Sequence, residues 1–144
     1  MFPARFILYG TVLGLLCGWA FPLPSDSVVW NTTASMPLGL YWRIPAGPLV
    51  AGDLVEFRAP DSWLDALNHA PAIQQGVVAV LKTVRGIAGE TVCWGDDALH
   101  TCQSVPPGHI FVMGTHPKSL DSRTLGPIDR RLVRWRLLPL WTWE

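Results

Sequence analysis

The chain has 144 residues, nearly half of them hydrophobic, and its eleven basic and eleven acidic side chains leave no formal net charge. That length suits one domain, and the balance of charge gives no reason to expect a nucleic-acid partner. Basic residues gather only at Arg130, Arg131, Arg134 and Arg136, while thirteen Gly and thirteen Pro predict many turns and few long helices.

In chain order, the first element is an uncharged run from Phe6 to Leu23. As a helix it would span about 27 Å, close to the hydrocarbon thickness of a bilayer. Arg5 precedes it and Asp26 follows. A positive flank on the N-terminal side predicts that residues from about 26 onward lie outside the cytoplasm. The competing reading is a cleaved signal peptide. The exit Pro22-Leu-Pro-Ser25 lacks a small-x-small cleavage site, which favours an uncleaved anchor over residues 1–25. Cys17 within it reads as a small apolar residue.

Next comes Asn31-Thr-Thr-Ala-Ser-Met-Pro-Leu-Gly-Leu-Tyr41. Pro37 restricts Met36 to an extended conformation and Gly39 permits a tight turn. Ser35 therefore precedes a stiff bend. It is either a turn residue or a nucleophile, and a nucleophile needs a base and oxyanion donors. Ala51 to Arg58 reads as a turn followed by an alternating strand, with Val55 and Phe57 on one face. Ser62 to Ala70 reads as a short helix. Ser62 and Asp65 resemble a capping box, Trp63 and Leu67 form its apolar face, and Pro71 stops it. His69 reads as a polar residue at its C-terminal end.

The β-branched run Gly76 to Gly86 predicts a buried strand with Lys82 at its centre. The chain has only one other lysine, Lys118, against nine arginines. Burial disfavours an ammonium, so Lys82 is expected to carry a lowered pKa, and a neutral lysine is a general base. The other reading is a strand-end lysine with a buried stem and a head in water. Thr91 to Trp94 and Ala98 to Cys102 read as a hairpin around Gly95. Cys93 and Cys102 face each other there as a disulfide if the domain is exported, or join His100 as zinc ligands. His109 to Met113 reads as a buried strand. The loop Gly114 to Arg123 either sets Ser119 beside a buried amine and pairs Asp121 with Arg123, or caps itself in solvent. The Trp-, Leu- and Arg-rich end from Leu132 to Trp143 suits a membrane interface and equally the last strand of the core.

Three boxes, in order, resemble the signal peptidase I superfamily of Ser-Lys serine peptidases. Asn31 to Tyr41 resembles the nucleophile box, Leu81 to Glu90 the lysine box, and Gly114 to Gly126 the closing box. Pro37-Leu-Gly-Leu-Tyr41 and Thr115-His-Pro-Lys-Ser-Leu-Asp-Ser-Arg123 are most similar to the TraF-type peptidases of conjugative transfer. Thr83, where relatives often carry a basic residue, and Ala88, where proline is frequent, depart from the pattern.

The resemblance implies a mostly-β fold of coiled antiparallel sheets behind one transmembrane helix, with residues 26–144 as the peptidase domain. It implies Ser35 as nucleophile and Lys82 as general base, with the Ser35 N–H and the Thr33 hydroxyl as oxyanion donors. Ser119 would orient Lys82, and Asp121 with Arg123 would hold the closing loop. No cofactor or metal is implied. The implied substrate is a membrane-tethered precursor, a pilin or another signal-peptide-bearing protein, cut after small side chains at the bacterial inner membrane on its periplasmic side. The lipid bilayer is the other partner. Rival expectations are a housekeeping signal peptidase and a non-catalytic anchored β-domain of a secretion assembly.

Overall fold

The structure, a computed structural model, describes residues 26–69, 79–96 and 100–143. The expected membrane segment Phe6 to Leu23, the helix stop at Pro71 and the start of the Gly76 strand lie outside the described residues. Among the described residues no helix is long and apolar enough to cross a membrane.

Among the described residues, nine strands and two short helices follow one another as β1 (Val28–Asn31), β2 (Leu38–Pro45), β3 (Leu54–Arg58), α1 (Asp61–Asn68), β4 (Ala79–Ile87), β5 (Thr91–Trp94), β6 (Thr101–Ser104), β7 (His109–Met113), α2 (Ser122–Leu125), β8 (Ile128–Asp129) and β9 (Val133–Trp143), with a 3-10 turn at Arg130–Leu132 before β9. Seven strands form one antiparallel sheet in the order β1-β2-β9-β3-β4-β7-β8, and β5 pairs with β6 as a separate hairpin. The protein is mostly β, and the sheet is curled. Register shifts at Leu40/Tyr41, Glu56/Phe57 and Val84/Gly86 supply bends, since an extra residue on one strand kinks and twists it. The first of these shifts falls where Tyr41 faces Pro139, so the proline sits where the ladder is already interrupted.

The C-terminal segment resolves its two expectations in a divided way. It is a strand, β9, inserted between β2 and β3, yet only its first half is core. Val133 and Leu137 are buried, whereas Leu138, Leu140, Trp141 and Trp143 are exposed. Trp143 packs edge-on against Trp30 of β1, with ring centroids 5.7 Å apart, and against Trp141 at 5.4 Å. Gly39 makes this arrangement possible. It pairs with Asn31 on one side and Thr142 on the other, at φ 135°, and a Cβ there would strike the Trp141 carbonyl.

The core lies between the curled sheet and α1. Val55, Phe57, Trp63, Leu67, Val84, Ile110, Val112 and Ile128 form one buried cluster. Trp63 meets Phe57 edge-on at 5.7 Å and donates its indole N–H to the Leu125 carbonyl at 3.0 Å, which ties α1 to α2. Burial on both faces explains why β3 departs from the expected alternation: Glu56 is buried as well as Val55 and Phe57. The expected Ser62/Asp65 capping box is not formed. The helix starts one residue earlier, at Asp61 behind Pro60, with no side-chain cap. Pro60 sets the extended backbone before the first turn, and Asp61 places a carboxylate at the positive end of the helix.

The hairpin β5–β6 brings Cys93 opposite Cys102, and the two are joined as a disulfide. Their sulfurs are therefore not free as thiolate ligands for zinc, and among the described residues no His, Cys, Asp and Glu side chains cluster as a metal site. Val92, Val105 and Phe111 form a small core beneath the hairpin.

Candidate active site

Ser35 lies in the loop between β1 and β2, and that loop is held from several sides. Asn31, at the end of β1, sends its side-chain amide into the loop and bonds to Thr33, Met36 and Pro37. The Tyr41 hydroxyl donates to the Pro37 carbonyl at 2.6 Å. From across the sheet, the Thr115 N–H donates to the Ser35 carbonyl at 2.9 Å. The Ser35 hydroxyl itself lies 3.5 Å from the Thr33 hydroxyl.

Lys82 enters from β4, where it pairs with Val55. Only 2% of the residue is exposed, and its Nζ donates to the Ser119 hydroxyl at 2.8 Å. Burial pushes its pKa down to about 8, while Asp121 pulls it up and Arg123 pushes it further down. At neutral pH a useful fraction of the amine is therefore unprotonated. Ser119 is also buried, held by its own N–H to the His116 carbonyl at 3.0 Å.

Behind this pair stands Asp121, fully buried. Its carboxylate accepts from the Gly114 N–H at 2.9 Å, from the Arg123 N–H at 3.1 Å, and from the Arg123 guanidinium at 2.9 and 2.7 Å. It thus caps α2, fastens the end of β7 and holds Arg123, whose Nη2 also reaches the His116 carbonyl at 3.3 Å. The Ser122 hydroxyl accepts from the Val112 N–H at 3.0 Å. The 114–123 loop is thus braced through Ser119, Asp121 and Ser122, while its tip, Thr115 to Lys118, is exposed to solvent.

Ser35, Thr33, Lys82 and Ser119 all line one open cleft of about 800 Å³. Asp121 and Arg123 stand behind its wall, and Cys93 and Cys102 lie elsewhere, on the hairpin. The cleft therefore presents a hydroxyl, a buried amine of lowered pKa and a second hydroxyl on that amine, which is a constellation able to deprotonate an alcohol.

Four residues at the cleft were not assigned roles from the sequence. Asn31 stood in the sequence only as the first residue of the stretch that resembles the nucleophile box. Arg43 and Glu56 form a two-pronged ion pair in the cleft wall, at 2.6 and 2.9 Å, but lie thirteen residues apart on separate strands. Gly114 packs where a Cβ would collide with Ser119 and come within 2.6 Å of the Ser35 carbonyl, so its lack of a side chain lets the two loops meet.

Comparison with known proteins gives one family match: the model for signal peptidase, peptidase S26, covers residues 96–136. That stretch contains β6, β7, the braced loop with Ser119, Asp121 and Arg123, and the first part of β9, but neither Ser35 nor Lys82. No curated protein and no solved structure matches the chain. The match spans less than a third of the chain, and it supports a relationship to the signal peptidase superfamily.

Proposed function

We propose that this chain is a membrane-anchored serine endopeptidase of the signal peptidase type, with Ser35 as nucleophile and Lys82 as general base. The observation that carries the reading is a buried lysine with its pKa near 8, hydrogen-bonded to a buried serine and facing the cleft that holds Ser35. Neutral Lys82 takes the Ser35 proton as the serine oxygen adds to the scissile carbonyl carbon. The carbonyl oxygen becomes an oxyanion, met by the Ser35 N–H and the Thr33 hydroxyl. Collapse breaks the peptide C–N bond, and the proton on Lys82 passes to the leaving amine. Water then attacks the Ser35 ester with Lys82 as base again, or an amine does so and closes a new peptide bond. The Ser119 hydroxyl accepts from the Lys82 amine at 2.8 Å and keeps it aimed, which leaves the nitrogen lone pair for the Ser35 proton. Asp121 and Arg123 hold the loop that carries Ser119.

The substrate we propose is a membrane-tethered exported precursor, and within that class a pilin matured for conjugative transfer by a type IV secretion apparatus. Pro37-Leu-Gly-Leu-Tyr41 and the 115–123 loop support that branch. The apolar run Phe6 to Leu23 supports an anchor in the bacterial inner membrane with the catalytic domain on the periplasmic side. Exposed Trp30 lies on β1, the first described strand after that run, and it packs against Trp143 of β9, which also exposes Leu138, Leu140 and Trp141; such an apolar face agrees with a domain resting at a bilayer surface.

The test is cleavage of a precursor by the purified full-length chain in detergent as a function of pH. The rate should rise with pH through about 8, because only unprotonated Lys82 accepts the serine proton. Ser35→Ala should abolish cleavage, and Lys82→Arg should not restore it, since a guanidinium stays protonated. A Ser35→Ala protein that cleaves normally refutes the reading.

A further inference from the structure

Asn31 makes more bonds to the serine loop than any residue the mechanism uses. It is buried, 5% exposed, and its amide nitrogen lies 3.0 Å from the Thr33 carbonyl, 3.1 Å from that of Met36 and 2.9 Å from that of Pro37. Three carbonyl oxygens can be met only by the NH2 end of the amide, so its orientation is fixed by its neighbours. The amide oxygen then faces Thr33. It accepts the Thr33 N–H at 3.2 Å and the Thr33 hydroxyl at 2.9 Å. An amide oxygen has no proton to give, so the hydroxyl is the donor in that second bond. With its single proton engaged, the Thr33 oxygen faces Ser35 Oγ, 3.5 Å away, as an acceptor.

From this we infer that Asn31 is a positioning residue for the nucleophile and for the oxyanion donor together. It shapes the 32–37 loop from inside, and it sets the direction of the Thr33 hydroxyl. In the resting enzyme Thr33 steadies the Ser35 hydroxyl as an acceptor. When the substrate carbonyl oxygen takes on charge, the Thr33 proton turns from the Asn31 oxygen to the oxyanion, and the Thr33 N–H remains on Asn31 to hold the backbone in place. The inference rests on the Ser35–Lys82 reading above and adds to it a residue that does not touch the reacting atoms.

The experiment uses the full-length chain in detergent and the p-nitrophenyl ester of acetyl-dialanine, with nitrophenolate release measured above the Ser35→Ala rate. Asn31→Ala should lower kcat by about 10²-fold, the scale expected when a reacting group is misplaced by about an ångström. KM should change little, and the pH midpoint should stay at the wild-type value because Lys82 is untouched. Thr33→Val should cost much less in the Asn31→Ala background than in wild type, since the hydroxyl is no longer aimed. A folded Asn31→Ala protein with wild-type kcat, or costs that simply multiply in the double variant, overturns the inference.

Should Asn31→Ala not fold, the wild-type protein decides. Adding acetyl-trialaninal, whose carbonyl Ser35 captures as a tetrahedral adduct, should shift the Asn31 side-chain amide resonances. Resonances that stay in place overturn the inference. Nitrophenolate release by Ser35→Ala at the wild-type rate brings down the peptidase reading itself, a result distinct from either outcome at Asn31.

Discussion

Replacing Lys82 by methionine should make the protein more stable while destroying its activity. The lysine pKa falls from an ordinary 10.5 to about 8 because the amine is buried. Between those two values the unfolded chain holds a proton that the folded chain has released. Stability therefore rises as pH climbs from about 8 to about 10.5, and below 8 the fold bears the full cost of a buried ammonium. At about 1.4 kcal/mol per unit, that cost is about 3 kcal/mol at pH 7. Methionine keeps an unbranched stem and removes the charge. It also leaves the buried Ser119 hydroxyl without its 2.8 Å donor, a loss of about 1 kcal/mol. The net gain at pH 7 is then about 2 kcal/mol, and it should vanish or reverse by pH 10.5. Adding Ser119→Ala should recover most of the lost 1 kcal/mol. Urea unfolding of wild type and variant in detergent, followed by circular dichroism at pH 7 and 10.5, measures the difference. Other titrating groups are common to both proteins and cancel. Parallel stability curves across that window would refute the claim that Lys82 is buried as an amine of lowered pKa.

Gly114→Ala should cost about 1–3 kcal/mol from overpacking, because the new methyl meets the Ser119 side chain and the Ser35 backbone rather than a flexible tip. Its effect on turnover should exceed its effect on stability, and cleavage assays beside urea titrations would show this; a fully active variant would mean the two loops need not touch. Replacing Cys93 and Cys102 together by serine should cost roughly 2–3 kcal/mol in the chain-entropy model for a loop this short. Turnover of the folded fraction should be unchanged, because the hairpin does not line the cleft, and a large loss of turnover would show that it reaches the site.

Much of the site was legible because its parts announce themselves locally. A lysine inside a β-branched run is conspicuous, and so is a serine ahead of a proline bend. The Cys93–Cys102 pairing was legible for the same reason, since the two cysteines lie nine residues apart on neighbouring strands. What was not legible depends on contacts between distant strands. Arg43 of β2 and Glu56 of β3 pair across β9, which is inserted between those strands, and the sequence order of strands does not disclose that insertion. The burial of Glu56 upset the expected alternation in β3 for the same reason, the strand being covered on both faces. The helix start at Asp61 was misplaced by one residue because Pro60 and the Trp63 anchor on Leu125 position it, not the Ser62 side chain. Gly114 reads as an ordinary turn glycine until the Ser35 loop is seen against it.

The account stands most directly on the base. The decisive measurement is precursor cleavage by purified Lys82→Ala, with its circular dichroism spectrum recorded on the same sample. The account predicts a folded protein whose cleavage is abolished or nearly so. A folded Lys82→Ala protein that cleaves at the wild-type rate would contradict it.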